Sequence, residues 1–223
     1  MNKFINVLLL FFAIPTMFFT IIVGFDFPLS FLNTSGAQLD IRFEIFLGLG
    51  LVLLIINLRR SVRRWMGMRL VNQLSKFRWN SLVSKERVKR VYVYNFLEAF
   101  VMLAFGFGVY YVSPEAWMPL IAMIFGALDG IVFAVFGAST NKFRTGLTSK
   151  ALIVADRDVI ILYFNGLRKV SPQQQSIYFD YIKDLQLSFP TDCVREEEQS
   201  DFFKVLKETL NPDKVYFSKK LAE

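Results

Sequence analysis

Four stretches of about twenty predominantly apolar residues constrain this chain more than any other feature, because that is the length an α-helix needs to cross a hydrocarbon core of roughly 30 Å. The first runs from Val7 to Phe25 and is interrupted only by Pro15. It is too long for the apolar core of a signal peptide and lacks a small-x-small cleavage site, so despite Lys3 it reads as a retained helix, kinked at the proline. The second lies at about Leu39 to Leu58, the third from Val91 to Val112, and the fourth from Trp117 to Ala138. Only Ser113-Pro-Glu-Ala116 separates the last two, which predicts a tight antiparallel hairpin. Residues 26–40, with Pro28 and Gly36, read as an external loop.

Composition divides the chain in the same way. It is 54% hydrophobic with 25 Phe and a mean hydropathy of +0.40, and the apolar residues are concentrated before residue 140. Residues 141–223 carry thirteen basic and twelve acidic residues and resemble ordinary water-facing protein. The expected fold class is therefore a membrane α-helical domain over 1–140 followed by a small cytoplasmic α+β domain over 141–223.

Charge sets the orientation. Between Arg59 and Arg90 stand eleven Lys or Arg and one acid, Glu86, whereas the loops on the other side hold only Arg42. The positive-inside bias assigns loop 59–90 and both termini to the cytoplasm of a plasma membrane, the inner membrane in a bacterium. Tyr92, Tyr94, Tyr110, Tyr111 and Trp117 fall near span ends, where amphipathic rings are favoured.

Within the basic stretch, Val62, Met66, Leu70, Leu74 and Phe77 recur at helical spacing and predict an amphipathic helix over its first half. Arg59, Arg60, Arg63, Arg64, Arg69, Lys76 and Arg78 lie around it. Three readings stand: contact with the anionic lipids of the inner leaflet, a platform for an acidic partner, or charges that only enforce topology. Nucleic acid is not an expected partner, because the loop is pinned to a membrane.

The spans also contain acids. Glu44 lies near the external end of the second, close to Arg42. Glu98 and Asp129 fall at nearly the same depth of the hairpin, with Asn95 one turn before Glu98. No Lys or Arg of the third or fourth span can neutralise them. They predict a proton or cation site, a contact with a basic residue of another subunit, or protonated carboxyls that join helices. Gly126-x-x-x-Gly130 permits close helix approach and so supports packing or oligomerisation.

The exclusions are equally definite. The chain has no His and one Cys, Cys193, which removes Cys/His zinc sites, His-based acid–base catalysis and intramolecular disulfides. It has no Gly-rich phosphate loop, no Gly-x-Ser-x-Gly elbow and no cluster of metal ligands, and Asp156 and Asp158 read as turn formers. No catalytic residue, cofactor or metal is expected.

In the last eighty residues, Ala151–Ala155 and Val159–Phe164 read as strands, and Asn165-Gly166 as a hairpin turn into Leu167–Val170. Ser171 to Ser176 reads as a turn, followed by strands at Ile177–Ile182 and Leu185–Phe189. A helix is expected from Glu196 to Leu210, stopped by Asn211-Pro212, with a short strand at Val215–Phe217. The stretch LTSKALIVADRDVIILYFNG, then SIYFDYIKDLQL with its Asp180-x-Ile182-x-x-Leu185 step, then the helix SDFFKVLKETL, resembles the PH-like domains of membrane-anchored bacterial proteins, the YcxB-like group among them. The resemblance covers about seventy residues. It implies a PH-like antiparallel sheet with a C-terminal helix, used for binding or scaffolding.

The expected function is a non-enzymatic membrane subunit that anchors, scaffolds or regulates a partner complex. The alternatives are a homo-oligomeric channel or ion-coupled transport component using Glu98 and Asp129, or a ligand-gated membrane effector. Other membrane subunits, or further copies of the chain, are the expected partners.

Overall fold

The computed structural model describes residues 2–173, 175–182, 185–210 and 215–217; the side chains of residues 2–4 and of Phe31 lie outside that description. The expected helix stop at Asn211-Pro212 also lies outside the described residues, as do Lys183 and Asp184 of the Asp-x-Ile-x-x-Leu step. The chain divides into two compact units, one of residues 1–63 with 93–133 and one of 64–92 with 134–223. This differs from a single boundary at residue 140, because residues 64–92 fold with the C-terminal part of the chain.

The helical unit is built from the four apolar stretches. Helix α1 (Asn2–Gly24) continues through Pro15, and the buried hydroxyls of Thr16 and Thr20 donate to the carbonyls four residues earlier, each at 2.7 Å. A two-residue hairpin, β1 (Pro28–Leu29) with β2 (Thr34–Ser35), closes the following loop around Asn33 in the left-handed conformation. Helix α2 spans Arg42–Val71, α3 Lys85–Val112 and α4 Trp117–Ser139, with a short 3-10 turn at Pro114–Ala116 forming the tight hairpin between α3 and α4. Each of the four helical stretches is long and apolar enough to cross a membrane. The helical unit has one buried cluster of Leu53, Ala99, Met102, Ala122 and Ala127, and a second in which Phe46 packs with Val23, Val109 and Ala116.

Helix α2 does not end where its apolar stretch does. At about 1.5 Å per residue its 30 residues reach roughly 45 Å. Arg, Met and Leu are good helix formers and no proline intervenes, so nothing interrupts the backbone bonds between Arg59 and Val71. Helix α3 likewise starts before Val91, where the Ser84 hydroxyl accepts the Arg87 N–H at 3.1 Å in an N-cap. The basic stretch is thus one helix end, a 3-10 turn at Leu74–Lys76, a strand and a helix start.

That strand, β3 (Trp79–Leu82), was not legible as one, and it edges the first sheet of the second unit. It pairs antiparallel with β4 (Arg144–Leu147), β4 with β5 (Ala151–Ala155), and β5 with β6 (Val159–Tyr163). The second sheet holds β7 (Leu167–Gln173), β8 (Ser176–Tyr181) and β9 (Gln186–Pro190) in antiparallel order. A short β10 (Tyr216–Phe217) lies parallel beside β7. Strand β7 runs to Gln173 and β8 begins at Ser176, so most of the turn expected at 171–176 is ladder, with a bulge between Leu167 and Lys169. A 3-10 turn at Glu196–Glu198 leads into α5 (Gln199–Thr209).

Alternation along β5 explains why all five of its residues are buried. Leu152 and Val154 enter the main core with Phe179, Phe189, Phe202 and Leu206, where Phe202 stacks on Phe189 at 5.7 Å and tilts against Trp79 at 5.1 Å. Ala151, Ile153 and Ala155 face the other way and pack with Val71 and Val159. Gly67 is needed for that second layer: a Cβ at this position would collide with the Val159 side chain.

Candidate functional site

Inside the helical unit, three helices each turn a polar stripe toward the others. Asn57, Arg60 and Ser61 of α2 are spaced i, i+3, i+4 and therefore share a face; Asn95 and Glu98 do the same on α3, and Gly126, Asp129 and Gly130 on α4. The Arg60 guanidinium donates to both carboxylate oxygens of Glu98, its Nη1 to Oε1 and its Nη2 to Oε2 at 2.7 Å. Arg60 is only 4% exposed. The Ser61 hydroxyl donates to Asp129 Oδ1 at 2.7 Å, and the Asn57 amide donates to the Ala122 carbonyl at 3.0 Å. Asn95 is buried at 1% exposure.

This geometry changes the meaning of the acids. The sequence places no base in the third or fourth span to neutralise Glu98, but the base comes from α2, two residues past the end of the second apolar stretch. Glu98 is therefore ion-paired within the chain and offers no unpaired charge to another subunit. A bidentate Arg–carboxylate pair is the arrangement that best offsets the several kcal/mol lost by each ion on leaving water. Glu98 and Asp129 are held by different residues of α2, namely Arg60 and Ser61.

The glycine motif is used within the chain as well. A Cβ on Gly126 would meet the Asn57 side chain at 2.9 Å, and Gly130 faces Asn95, whose Oδ1 would lie 3.7 Å from a Cβ there. Gly126 thus brings α4 close enough to α2 for Asn57 to reach the Ala122 carbonyl. Arg42, expected beside Glu44, instead donates from Nε to Glu115 Oε1 at 3.1 Å and from Nη1 to the Ala37 carbonyl at 2.7 Å, while Glu44 is exposed.

The seven basic residues expected to meet lipid or a partner separate by burial. Arg59, Arg69, Lys76 and Arg78 are exposed, Arg63 is half-buried, and Arg60 and Arg64 are buried. The apolar residues of the amphipathic stripe separate too, with Val62, Met66 and Leu74 exposed and Leu70 half-buried.

The second unit has its own charged cleft, a cavity of about 500 Å³ beside the start of α3. Arg87 Nε donates to Asp156 Oδ2 at 2.6 Å, and Asp156 is 1% exposed, so this aspartate is a buried counter-ion as well as a turn former. Asp192 stands 3.6 Å from Arg87 Nη1 and accepts Arg90 Nη1 at 2.8 Å. Beside them, burial pushes the Cys193 thiol well above its ordinary range; Asp156 and Asp192 add to the shift and Arg87 opposes it. The thiol is therefore protonated and inert at neutral pH. Among the described residues no group of three His, Cys, Asp or Glu could hold a metal ion.

The sequence reading missed Asn57, Ser61, Arg87 and Asp192. For the first two a signal existed, the i, i+3, i+4 spacing of Asn57, Arg60 and Ser61. For Arg87 and Asp192 none did, because their partners are distant in the chain. No family model, no curated protein and no solved structure matches this chain.

Proposed function

We propose that the chain is a non-enzymatic integral membrane subunit of a plasma membrane, with four spans and both termini in the cytoplasm. Its sheet unit recruits or regulates a partner. The observation that carries this reading is the bidentate Arg60–Glu98 pair, with Ser61 on Asp129. Acids held helix to helix, one by an ion pair and one by a hydroxyl, suit a rigid anchor better than an ion path, which needs groups that exchange their ligand. The outward faces of the helices support the membrane location: Phe11 is 64% and Phe100 69% exposed, and apolar side chains of this size are tolerated in such numbers on a lipid-facing surface.

The support for a PH-like module is the layout of the second unit, two four-stranded sheets accompanied by one helix whose buried residues are Phe202 and Leu206. Such a layout offers sheet edges and a charged cleft for binding. The test is a tagged purification from native membranes in mild detergent, with mass spectrometry and stoichiometry of what accompanies the chain. A distinct protein in fixed ratio is the expected result. Recovery of the chain alone and monomeric would remove the reading.

A further inference from the structure

A second, smaller cavity of the sheet unit, about 170 Å³, opens where β3 leads into α3 and where α4 ends. Val83, Val88 and Phe143 give it apolar walls, and Lys85 and Arg195 are the ionisable groups that line it. Val83 and Phe143 are each 2% exposed, so the apolar part belongs to the folded interior. Neither the Lys85 nor the Arg195 side chain forms a hydrogen bond or an ion pair with any described residue.

This sets them apart from their neighbours. In the adjoining larger cleft, Arg87 and Arg90 are met by Asp156 and Asp192, so that cleft is balanced in charge and asks for no further anion. At the smaller cavity the positive charge accumulates. Arg144, bonded through Nε to Asn80 Oδ1 at 2.5 Å, has its pKa lowered by burial; Glu198 opposes the shift and the like charge of Arg195 adds to it. Lys85 and Arg195 themselves line the cavity, and among the described residues no acid does.

An occupant must therefore be an anion that also carries an apolar part. Of the lining residues, Lys85 and Val88 belong to the first turn of α3, before its apolar stretch begins at Val91, and Gly137 and Ala138 to the last turn of α4, where its own stretch ends. In a chain that spans a membrane, those positions lie at headgroup depth, with acyl chains on one side and water on the other. We propose that this cavity is a binding site for the phosphate headgroup of an anionic phospholipid, with Lys85 and Arg195 holding the phosphate and Val83, Val88 and Phe143 receiving the first carbons of the lipid. The inference rests on the membrane reading above and adds a particular site to it, which joins Lys85 at the end of the basic stretch to Arg195 of the C-terminal part of the chain.

The test uses the full chain purified in mild detergent. Short-chain phosphatidylglycerol, short-chain phosphatidylcholine and inorganic phosphate are titrated separately, and binding is followed by native mass spectrometry and tryptophan fluorescence. Phosphatidylglycerol is expected to bind more tightly than phosphatidylcholine. The double variant Lys85→Gln/Arg195→Gln is expected to lose roughly thirtyfold in affinity for phosphatidylglycerol, about what two basic residues contribute at a lipid surface. The control Arg168→Gln/Lys169→Gln, which removes two exposed charges of β7, is expected to bind as the unchanged protein does.

Equal loss in both double variants would overturn the site in favour of a general charge effect. Equal affinity for inorganic phosphate and phosphatidylglycerol would overturn the lipid as occupant in favour of a soluble phosphate. No preference for the anionic lipid would overturn the proposal altogether. Membrane fractionation separates the two levels: a chain recovered without detergent defeats the membrane reading, whereas a chain that needs detergent but fails the titration defeats only this inference. Thermal unfolding of each variant, expected to match the unchanged protein, confirms that the fold is intact.

Discussion

The two units place the same kinds of side chain in opposite positions. In the sheet unit the large rings of Phe179, Phe189 and Phe202 are inside and the charges are at the surface or paired in a cleft. In the helical unit phenylalanines such as Phe11, Phe18 and Phe100 face outward, and Arg60, Asn57 and Asn95 are buried. A hydrophobic effect that drives rings inward exists only against water. The interior of the helical unit combines small residues such as Ala99, Ala122 and Ala127 with polar contacts between helices, beside the buried rings of Phe46 and Phe133.

The largest expected effects come from removing the key contact of each unit. Arg60→Ala strands Glu98 without its counter-ion and is expected to cost about 3–5 kcal/mol. Phe202→Ala opens a cavity in the aromatic core at a cost of about the same size. Thermal unfolding in mild detergent reads both. The double change Arg60→Met/Glu98→Leu is expected to restore most of the first loss, since it removes the stranded charge as well. A near-neutral Arg60→Ala would show that the pair does not hold the helices together.

Gly126→Leu comes next. Its added carbons would push into Asn57, and the overpacked contact is expected to cost about 1–3 kcal/mol by the same measurement. Stability unchanged by this substitution would mean that α4 can withdraw from α2 freely.

Cys193 sharpens the comparison from the sheet side. Its pKa is raised in the folded state, so the folded chain holds the proton more tightly than the unfolded one. The stabilisation is complete below the ordinary thiol range, near pH 8.5, and is lost as pH rises above it, at up to about 1.4 kcal/mol per pH unit. Denaturant titrations between pH 8 and pH 10 should show that decline, and Cys193→Ser should flatten it. Alkylation by iodoacetamide should be slow until the unit unfolds.

The smallest expected effect is on the outside of the helical unit. Phe11→Ala and Phe100→Ala remove rings that are exposed, and each should change stability by about 0.5 kcal/mol or less in detergent. A loss as large as that of Phe202→Ala would mean that these faces are covered by protein.

The helices were legible because an apolar run of sufficient length has few other uses, and β5 to β9 because β-branched and aromatic runs were separated by turn residues. The ion pair was not. Arg60 sits among charges that a topology rule already accounts for, so nothing in the local pattern distinguishes it from exposed Arg59. What does distinguish it is the rotation of α2, and that depends on the helix continuing past Leu58. Strand β3 was hidden for a different reason. Trp-Asn-Ser-Leu is short and polar at its centre, and its pairing partner β4 lies beyond two long helices.

That separation also sets a timetable. Ribosomes add roughly 5–20 residues per second, and Trp79 waits about seventy residues for Leu147, so β3 spends several seconds without its partner while α3 and α4 are being made. During that interval its open backbone must be shielded from other chains by water, by a chaperone or by the membrane surface. A gene fragment that starts after α4 would be born without this strand, leaving β4 as an exposed edge.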